Sequence, residues 1–596
     1  MDETKKRILF LAVAVLVIAG LVTFAIVKWQ TVAPEAKKTG SGPVTLPPPV
    51  AVGTDAGVAV PPGTPGLPGE GDDPNPGLTT VQEYKFVPAD RLPPVQGTSA
   101  YRALENNTIR FALNVWAGWA PIILANEGFQ AGKVWKTPTG EEFKVELVLI
   151  DDPVAMRDAY ASGEVHIGWA TLDMVPLFLE GFVAEDGTPR DSRVMPRIYQ
   201  QIDWSNGGDG IVARESIKTV SDLRGKKVAL AQNSPSQYFL LNMLVYGGVQ
   251  PGDVEMVFTA DAFQAAAAFN AQSDIAAAVT WAPDIYKLSE APGNRMLVTT
   301  GTANRLIADV WFTRADFARD HEPKVEALVR GIFDAMETLY TDPASEEKVA
   351  GLMAAGFNLP AEDAKGMLHD AHWTNWAENF QFLVNQNNPA GFQRIWEQAY
   401  LLYRRIGSIT HTPVPFDKVM DFSIIQRLGQ EERYAKQADR YAVVFTPRAV
   451  SEIAGAESPV LTQTVTINFS PNNWDLHFKV MRDQSGQQVE ELYDPNVDNV
   501  LSEIAGLAGK FGMAQIVISG HTDASMRGRV PEAQVQELSL NRANAVKDAL
   551  VQQFQLQPNQ FSVEGVGWGR PADPGDPNNH ARNRRVEISV YPLEAQ

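Results

Sequence analysis

The sequence predicts a two-lobe α/β domain followed by a smaller α+β domain, set behind a single N-terminal transmembrane helix. Three observations carry that prediction. A long uncharged run lies near the N-terminus, strand-like runs alternate with helical patterns from Thr108 to about residue 425, and a compact strand-and-helix block begins at Val465. At 596 residues the chain exceeds what one hydrophobic core supports, so several domains are expected. Composition also excludes function classes. With 51 Lys and Arg against 71 Asp and Glu, the net charge of −20 repels phosphate backbones, and nucleic acid is not an expected partner. Cysteine is absent, which excludes disulfides, thiolate metal sites, cysteine nucleophiles and lipid attachment through an N-terminal cysteine.

The elements follow in order. Ile8 to Val27 (ILFLAVAVLVIAGLVTFAIV) would form a helix about 30 Å long, enough to cross a bilayer core. Lys5, Lys6 and Arg7 precede it and favour a cytoplasmic N-terminus. A cleaved signal peptide would have a shorter apolar region and a small-x-small site, of which Thr23-Phe24-Ala25 is a poor version. Length therefore favours an uncleaved anchor over residues 1–30, with the bulk of the chain in the periplasm. Residues 31–100 are rich in Pro and Gly with few aromatics, cannot build a core, and read as an extended spacer.

Residues 101–430 alternate. IRFALNV, FKVELVLI and VHIGWA read as strands with the helical APIILANEGF and PVAMRDAYASG between them. The pattern restarts after Val194–Tyr199 with GIVA, KKVALA, VEMVF and IAAAVTWAP, separated by SPSQYFLLNMLVYGG and AFQAAAAFNAQ. Strands separated by helices of this length predict parallel sheets of βαβ units, and two blocks in series predict two lobes. Helical patterns over Lys324–Tyr340 and Phe392–Arg405 follow, then a charged connector over 431–462. The last block, 463–596, runs strand VTINF, helix NVDNVLSEIAGLAGKF, strand QIVISG, helix LSLNRANAVKDALVQQF, and strands FSVEGVG and RRVEISVY.

The last block carries Gly520-His521-Thr522-Asp523, Leu538-Ser539 with Arg542-Ala543, Gly565-Val566-Gly567 with Pro571, and Asn583-Arg584-Arg585-Val586-Glu587-Ile588. With these residues in this order it resembles the OmpA C-terminal-like family of peptidoglycan-binding domains. The resemblance implies that Asp523 and Arg542 hold the zwitterionic end of a cell-wall stem peptide, with Thr522, Leu538 and Asn583 or Arg585 as further groove contacts. The chemistry agrees, since an aspartate accepts from an ammonium and a guanidinium fork donates to a carboxylate. From the residues alone, an ion pair pinning the loop is the plainer reading. Met526, Gln534 and Val535 depart from the family's pattern, and the loop between Asp523 and Leu538 is longer. His521 beside Asp523 does not make a metal site by spacing, because His580 lies far along the chain.

In the middle block, NVWAGWAPIILANEGF, SDLRGKKVALAQNSPSQYFL and AVTWAPDI resemble two-lobe periplasmic solute-binding proteins of the taurine, sulfonate and nitrate group. The resemblance implies a periplasmic binding protein-like fold with a ligand cleft and an ABC permease or signalling complex as membrane partner. Ser234, Pro235, Ser236 and Gln237 open a helix directly after a strand, with a Ser-x-x-Gln capping-box pattern. Such a start faces the carboxyl edge of a parallel sheet and favours an anionic group. Trp116 and Trp119 before Pro121 repeat the arrangement in the first lobe. Trp204 and Trp281 fall at further strand ends, where rings either clamp a solute or fill interlobe packing. Asp173, Asp209 and Asp284 are candidate partners for an amine, although caps and turns use such residues routinely. No Gly-x-Ser-x-Gly elbow, Walker loop or metal-ligand cluster stands in the sequence, so the expectation is a cofactor-free binding protein and not an enzyme.

Overall fold

The computed structural model describes residues 86, 88 and 91–593, apart from 457, 466, 468, 471, 485, 486, 573 and 577–582. The predicted transmembrane run Ile8–Val27 and most of the 31–100 spacer lie outside the described residues. Among those described, no helix is long and apolar enough to cross a membrane. The end of the spacer packs on the first lobe: Thr98 Oγ1 donates to Asp191 Oδ2 (2.8 Å) and Ser99 N to Ala161 O (3.2 Å).

The first lobe is built on a seven-stranded sheet. Its strands run in the order Ala371–Trp373, Pro196–Ser205, Ala308–Arg314, Ile167–Thr171, Thr108–Leu113, Glu142–Leu149 and Trp135–Lys136. The second lobe holds five: Asn294–Thr299, Asp209–Arg214, Ile275–Trp281, Lys227–Ala231 and Glu255–Thr259. Where βαβ units were predicted the strands pair in parallel, as Thr108–Leu113 does with Glu142–Leu149 and Lys227–Ala231 with Glu255–Thr259. The sheets as wholes are mixed, not parallel. Pro196–Ser205 carries the chain out to the second lobe and Ala308–Arg314 brings it back, so the two lie antiparallel side by side. Ile167–Thr171 and Ala308–Arg314 are buried at every position, as expected of sheet strands covered on both faces.

The C-terminal module is a four-stranded sheet ordered Leu461–Val465, Val586–Pro592, Ala514–His521 and Phe561–Gly567, with the helices Val497–Lys510 and Glu532–Phe554. Its first strand precedes the predicted VTINF, and its second helix starts at Glu532 rather than Leu538, directly after Pro531. Two motif glycines have a steric cause. A Cβ on Gly520 would lie 2.1 Å from Ser539 O, and one on Gly565 would lie 2.2 Å from Gln536 O. Glu532–Phe554 rests on the sheet backbone at these points, a contact closer than any side chain permits.

This module packs against the two lobes through the end of Val497–Lys510. Lys510 Nζ donates to Tyr246 OH (2.8 Å) on the second lobe, Arg305 N donates to Lys510 O (3.1 Å), and Val220 N donates to Val460 O (3.3 Å). Gly509 meets Pro389, which a Cβ would approach to 2.6 Å. Burial pushes the Lys510 ammonium down to about 7. An unfolded lysine stays protonated to about pH 10. The unfolded state therefore binds more protons between about pH 7 and 10, and stability rises with pH across that window. Lys510→Met is expected to raise the melting temperature at pH 7 and to flatten this rise, as read from thermal melts at about pH 7 and 9.5.

Candidate ligand sites

The two lobes meet where the chain crosses between their sheets. At the outward crossing, Ser205 Oγ donates to Asp209 Oδ2 (2.7 Å) and lies 2.8 Å from Thr300 Oγ1 on the return crossing. Thr300 Oγ1 accepts from Gly207 N (2.9 Å), and Thr300 N donates to Asp209 O (2.9 Å). Trp116 covers this point. Its Nε1 donates to Asp203 Oδ2 (2.8 Å), and a Cβ on Gly208 would lie 2.6 Å from its ring. Gly118 admits Asp203, whose Oδ2 would lie 1.6 Å from a Cβ there. Glycine is therefore required at 118 by close approach, not by backbone conformation.

Buried carboxyls collect here. Asp173, Asp203, Asp209, Asp309 and Asp370 are each at most 5 % exposed. Desolvation raises all five, Asp173 and Asp370 to about 6 and Asp209 to about 7. Asp203 and Asp309 stand opposite one another on adjacent strands, and the Asp203 charge pushes Asp309 up further. Tyr286 OH of the second lobe donates to Asp370 Oδ1, just ahead of the first lobe's edge strand, so this contact spans the cleft. Tyr403 OH donates to Asp173 Oδ2 (3.0 Å) and lies 3.4 Å from Ser234 O, joining the acid to the start of helix Pro235–Tyr246.

That helix start differs from the predicted capping box. Ser234 Oγ donates back to Ala231 O (2.8 Å), and Gln237 Oε1 accepts from Asn233 N (2.6 Å). Among the described residues its first turn therefore has no side-chain cap, and Ser236 Oγ and Gln237 Nε2 are buried without a hydrogen-bond partner. The first lobe's counterpart, Ala120–Ala125, is a short buried helix entered through the turn Ala117–Trp119, so the predicted facing pair of helix starts reduces to one. Trp119 is wholly buried, donating to Asn114 Oδ1 (2.7 Å), and Trp204 packs edge-on against Phe382 inside the core. Trp281 packs edge-on against the exposed Phe263. Asp284 lies 3.9 Å from Lys287 one helical turn on. Asp203, Asp309, Asp370, Tyr286 and Tyr403 were missed. The signal available for the first two is an aspartate inside an otherwise apolar strand, IYQQIDWS and ADVWFTR.

At the second predicted site, Asp523 lies two residues beyond strand Ala514–His521 and caps the following turn, its Oδ1 accepting from Ser525 N (2.6 Å). Its Oδ2 meets Arg584, a residue the sequence reading passed over for Asn583 and Arg585. Arg584 stands at a bend just before the last strand and turns to Asp523, while Arg585 turns to Glu587 (2.7 Å). Asn583 Oδ1 accepts from Ala572 N (2.7 Å). Arg542 donates to Asn473 O (3.1 Å) and lies 4.9 Å over the Phe469 ring. Thr522 N donates to Gly567 O (2.9 Å), and Leu538 is half-buried on the same helix as Arg542. His521 is buried with Nε2 3.3 Å from Glu587 Oε2.

Comparison with known proteins assigns both parts. Residues 486–585 match the OmpA family, and residues 197–346 match the family described as NMT1/THI5 like. The Taurine-binding periplasmic protein of Escherichia coli is 28 % identical over 196 residues, 32 % of this chain and 57 % of that one. Outer membrane protein Omp38 of Acinetobacter baumannii is 30 % identical over 143 residues, 24 % of this chain and 37 % of that one. The chain thus spans less than two thirds of either relative. The solved periplasmic aliphatic sulphonate binding protein SsuA of Escherichia coli matches 53 % of this chain and 92 % of its own at 20 % identity, with a TM-score of 0.41. The chain therefore carries an OmpA domain at its C-terminus, behind an NMT1/THI5-like domain.

The raised carboxyls set a pH dependence. Unfolded aspartates lose their protons near pH 4, before the buried ones do. The unfolded state then binds fewer protons, so these groups contribute less stability as pH rises from about 4 to 7. Melting temperature of the lobes is expected to fall between about pH 5 and 7.5, and Asp209→Asn is expected to lessen the fall in the same melts.

Proposed function

We propose that this is a cell-envelope solute-binding protein tethered to peptidoglycan, with a small anionic or zwitterionic solute held between its lobes. The observation that carries this reading is the union in one chain of a two-lobe hinge, with free buried donors at a helix start, and an OmpA domain. Ser236 and Gln237 offer donors to an anionic group, and the helix dipole adds to their effect. Ligand contacts made to both lobes favour the closed arrangement over the open one.

At the C-terminal module, Arg542 serves a carboxylate and Asp523 an ammonium on the stem peptide, with Thr522, Leu538 and Asn583 around the groove, while Arg585 is held by Glu587 away from it. Arg584 then stands in for the ammonium at Asp523 and yields to it on binding. The run Ile8–Val27 supplies an inner-membrane anchor, so the protein is held at both ends. A transport permease or a signalling complex in that membrane receives the loaded lobes.

Two measurements check this. Purified sacculi are expected to retain the full-length protein, and Asp523→Ala with Arg542→Ala is expected to weaken retention at least about tenfold. Calorimetry against sulfonates, amino acids, nitrate and oxyanions is expected to give saturable heat with at least one class. Silence across that panel would reduce the lobes to a rigid spacer.

A further inference from the structure

The seam between the C-terminal module and the lobes holds a cavity of about 750 Å³. It is bordered by helix Pro235–Tyr246 of the second lobe, by Phe392–Arg405, and by both helices of the module. Its volume lies within the roughly 300–1,000 Å³ usual for small-ligand sites. Apolar walls come from Val245, Pro389, Leu401, Leu402 and Phe554. Leu401 is 55 % exposed, so part of this apolar surface is left open to solvent instead of being packed. On helix Val497–Lys510 the bordering residues Glu503, Gly506 and Lys510 fall three and four apart, a single stripe about 10 Å long.

Its charges are unequally matched. Lys510 is 2 % exposed, and its ammonium donates to Tyr246 OH (2.8 Å), which supplies no counter-charge. Lys510, Arg394 and Arg405 all border the cavity, and among the described residues none of them forms an ion pair. Arg394 stands near enough that its charge further disfavours the Lys510 ammonium. The two acids on the border accept from glutamines instead, Glu503 from Gln463 Nε2 (2.6 Å) and Glu397 from Gln393 Nε2 (2.8 Å). Burial also pushes the Glu503 carboxyl up, toward its neutral form. A buried ammonium without a counter-ion is costly, and an anion that reached it would lift that cost. The apolar walls beside it call for an apolar body on the same molecule.

We infer that this cavity is a binding site for a single-chain amphiphilic anion, its carboxylate head at Lys510 and Arg394 and its alkyl chain against Val245, Leu401, Leu402 and Phe554. Medium-chain fatty acids are the simplest members of that class. The site lies at the opposite end of helix Pro235–Tyr246 from Ser236 and Gln237, so it is independent of the solute-binding reading above.

The test is calorimetry of the full-length protein at about pH 6.5, where Lys510 is mostly protonated. Decanoate is expected to bind saturably, and at least about tenfold more tightly than decylamine, which reverses the head, or acetate, which lacks the chain. Lys510→Met with Arg394→Gln is expected to weaken decanoate at least about tenfold, and Arg394→Gln alone, at an exposed position, to weaken it in the same direction. A Cβ on Gly506 would lie 4.0 Å from Tyr246 OH, so Gly506→Leu extends into the cavity without removing a charge and is expected to weaken decanoate as well. Partition into carrier lipid is common to wild type and variants and cancels between them. Decylamine or acetate binding as tightly as decanoate, or decanoate binding unchanged by the charge substitutions, overturns the amphiphilic anion. Decanoate binding unchanged in Gly506→Leu, or no saturable binding by wild type, overturns the site.

Discussion

The whole arrangement depends on two chain crossings tied to each other by a few hydroxyl and backbone bonds. Ser205, Asp209 and Thr300 sit where both lobes' sheets give out, and they bond across the crossings rather than within either lobe. Such short bonds fix the crossing, and the Tyr286–Asp370 contact adds a tie across the facing surfaces. The acids around the pivot follow from the same geometry. Asp203 and Asp209 are placed by the last residues of one strand and the first of the next, so the pivot cannot form without burying them.

Much of this was legible in the chain. The alternation of strand and helix runs placed nearly every βαβ unit, and Phe392–Arg405 is a helix over the predicted residues. The tryptophans were harder to read. Trp116 and Trp119 are three residues apart in similar company, yet one bonds an acid at the pivot and the other fills the core. Sequence spacing does not encode which way a strand end turns. The antiparallel crossing strands were also out of reach, because their direction is set by the chain's return from the other lobe. Local pattern carries no record of that return.

The C-terminal module divides similarly. Its glycines and its Asp and Arg stood in a recognisable order, and Gly520 and Gly565 prove to be spacers between helix and sheet backbones. Arg584 was overlooked because two adjacent arginines look equivalent in a string. The bend at Arg584 sends them to different partners, Arg584 to Asp523 and Arg585 to Glu587.

The end of helix Val497–Lys510 joins three parts of the molecule. It touches Tyr246 of the second lobe, Arg305 on the returning crossing, and Pro389 beside helix Phe392–Arg405, which reaches Asp173 of the first lobe through Tyr403. The connector adds to the brace, with Tyr441 OH donating to Asn206 Oδ1 (2.8 Å) and Arg305 paired to Asp439 (3.1 Å). The module thus braces the joint from one side, and any rearrangement of one lobe against the other has to move this seam. Any load on this module would therefore fall on the seam that joins it to both lobes.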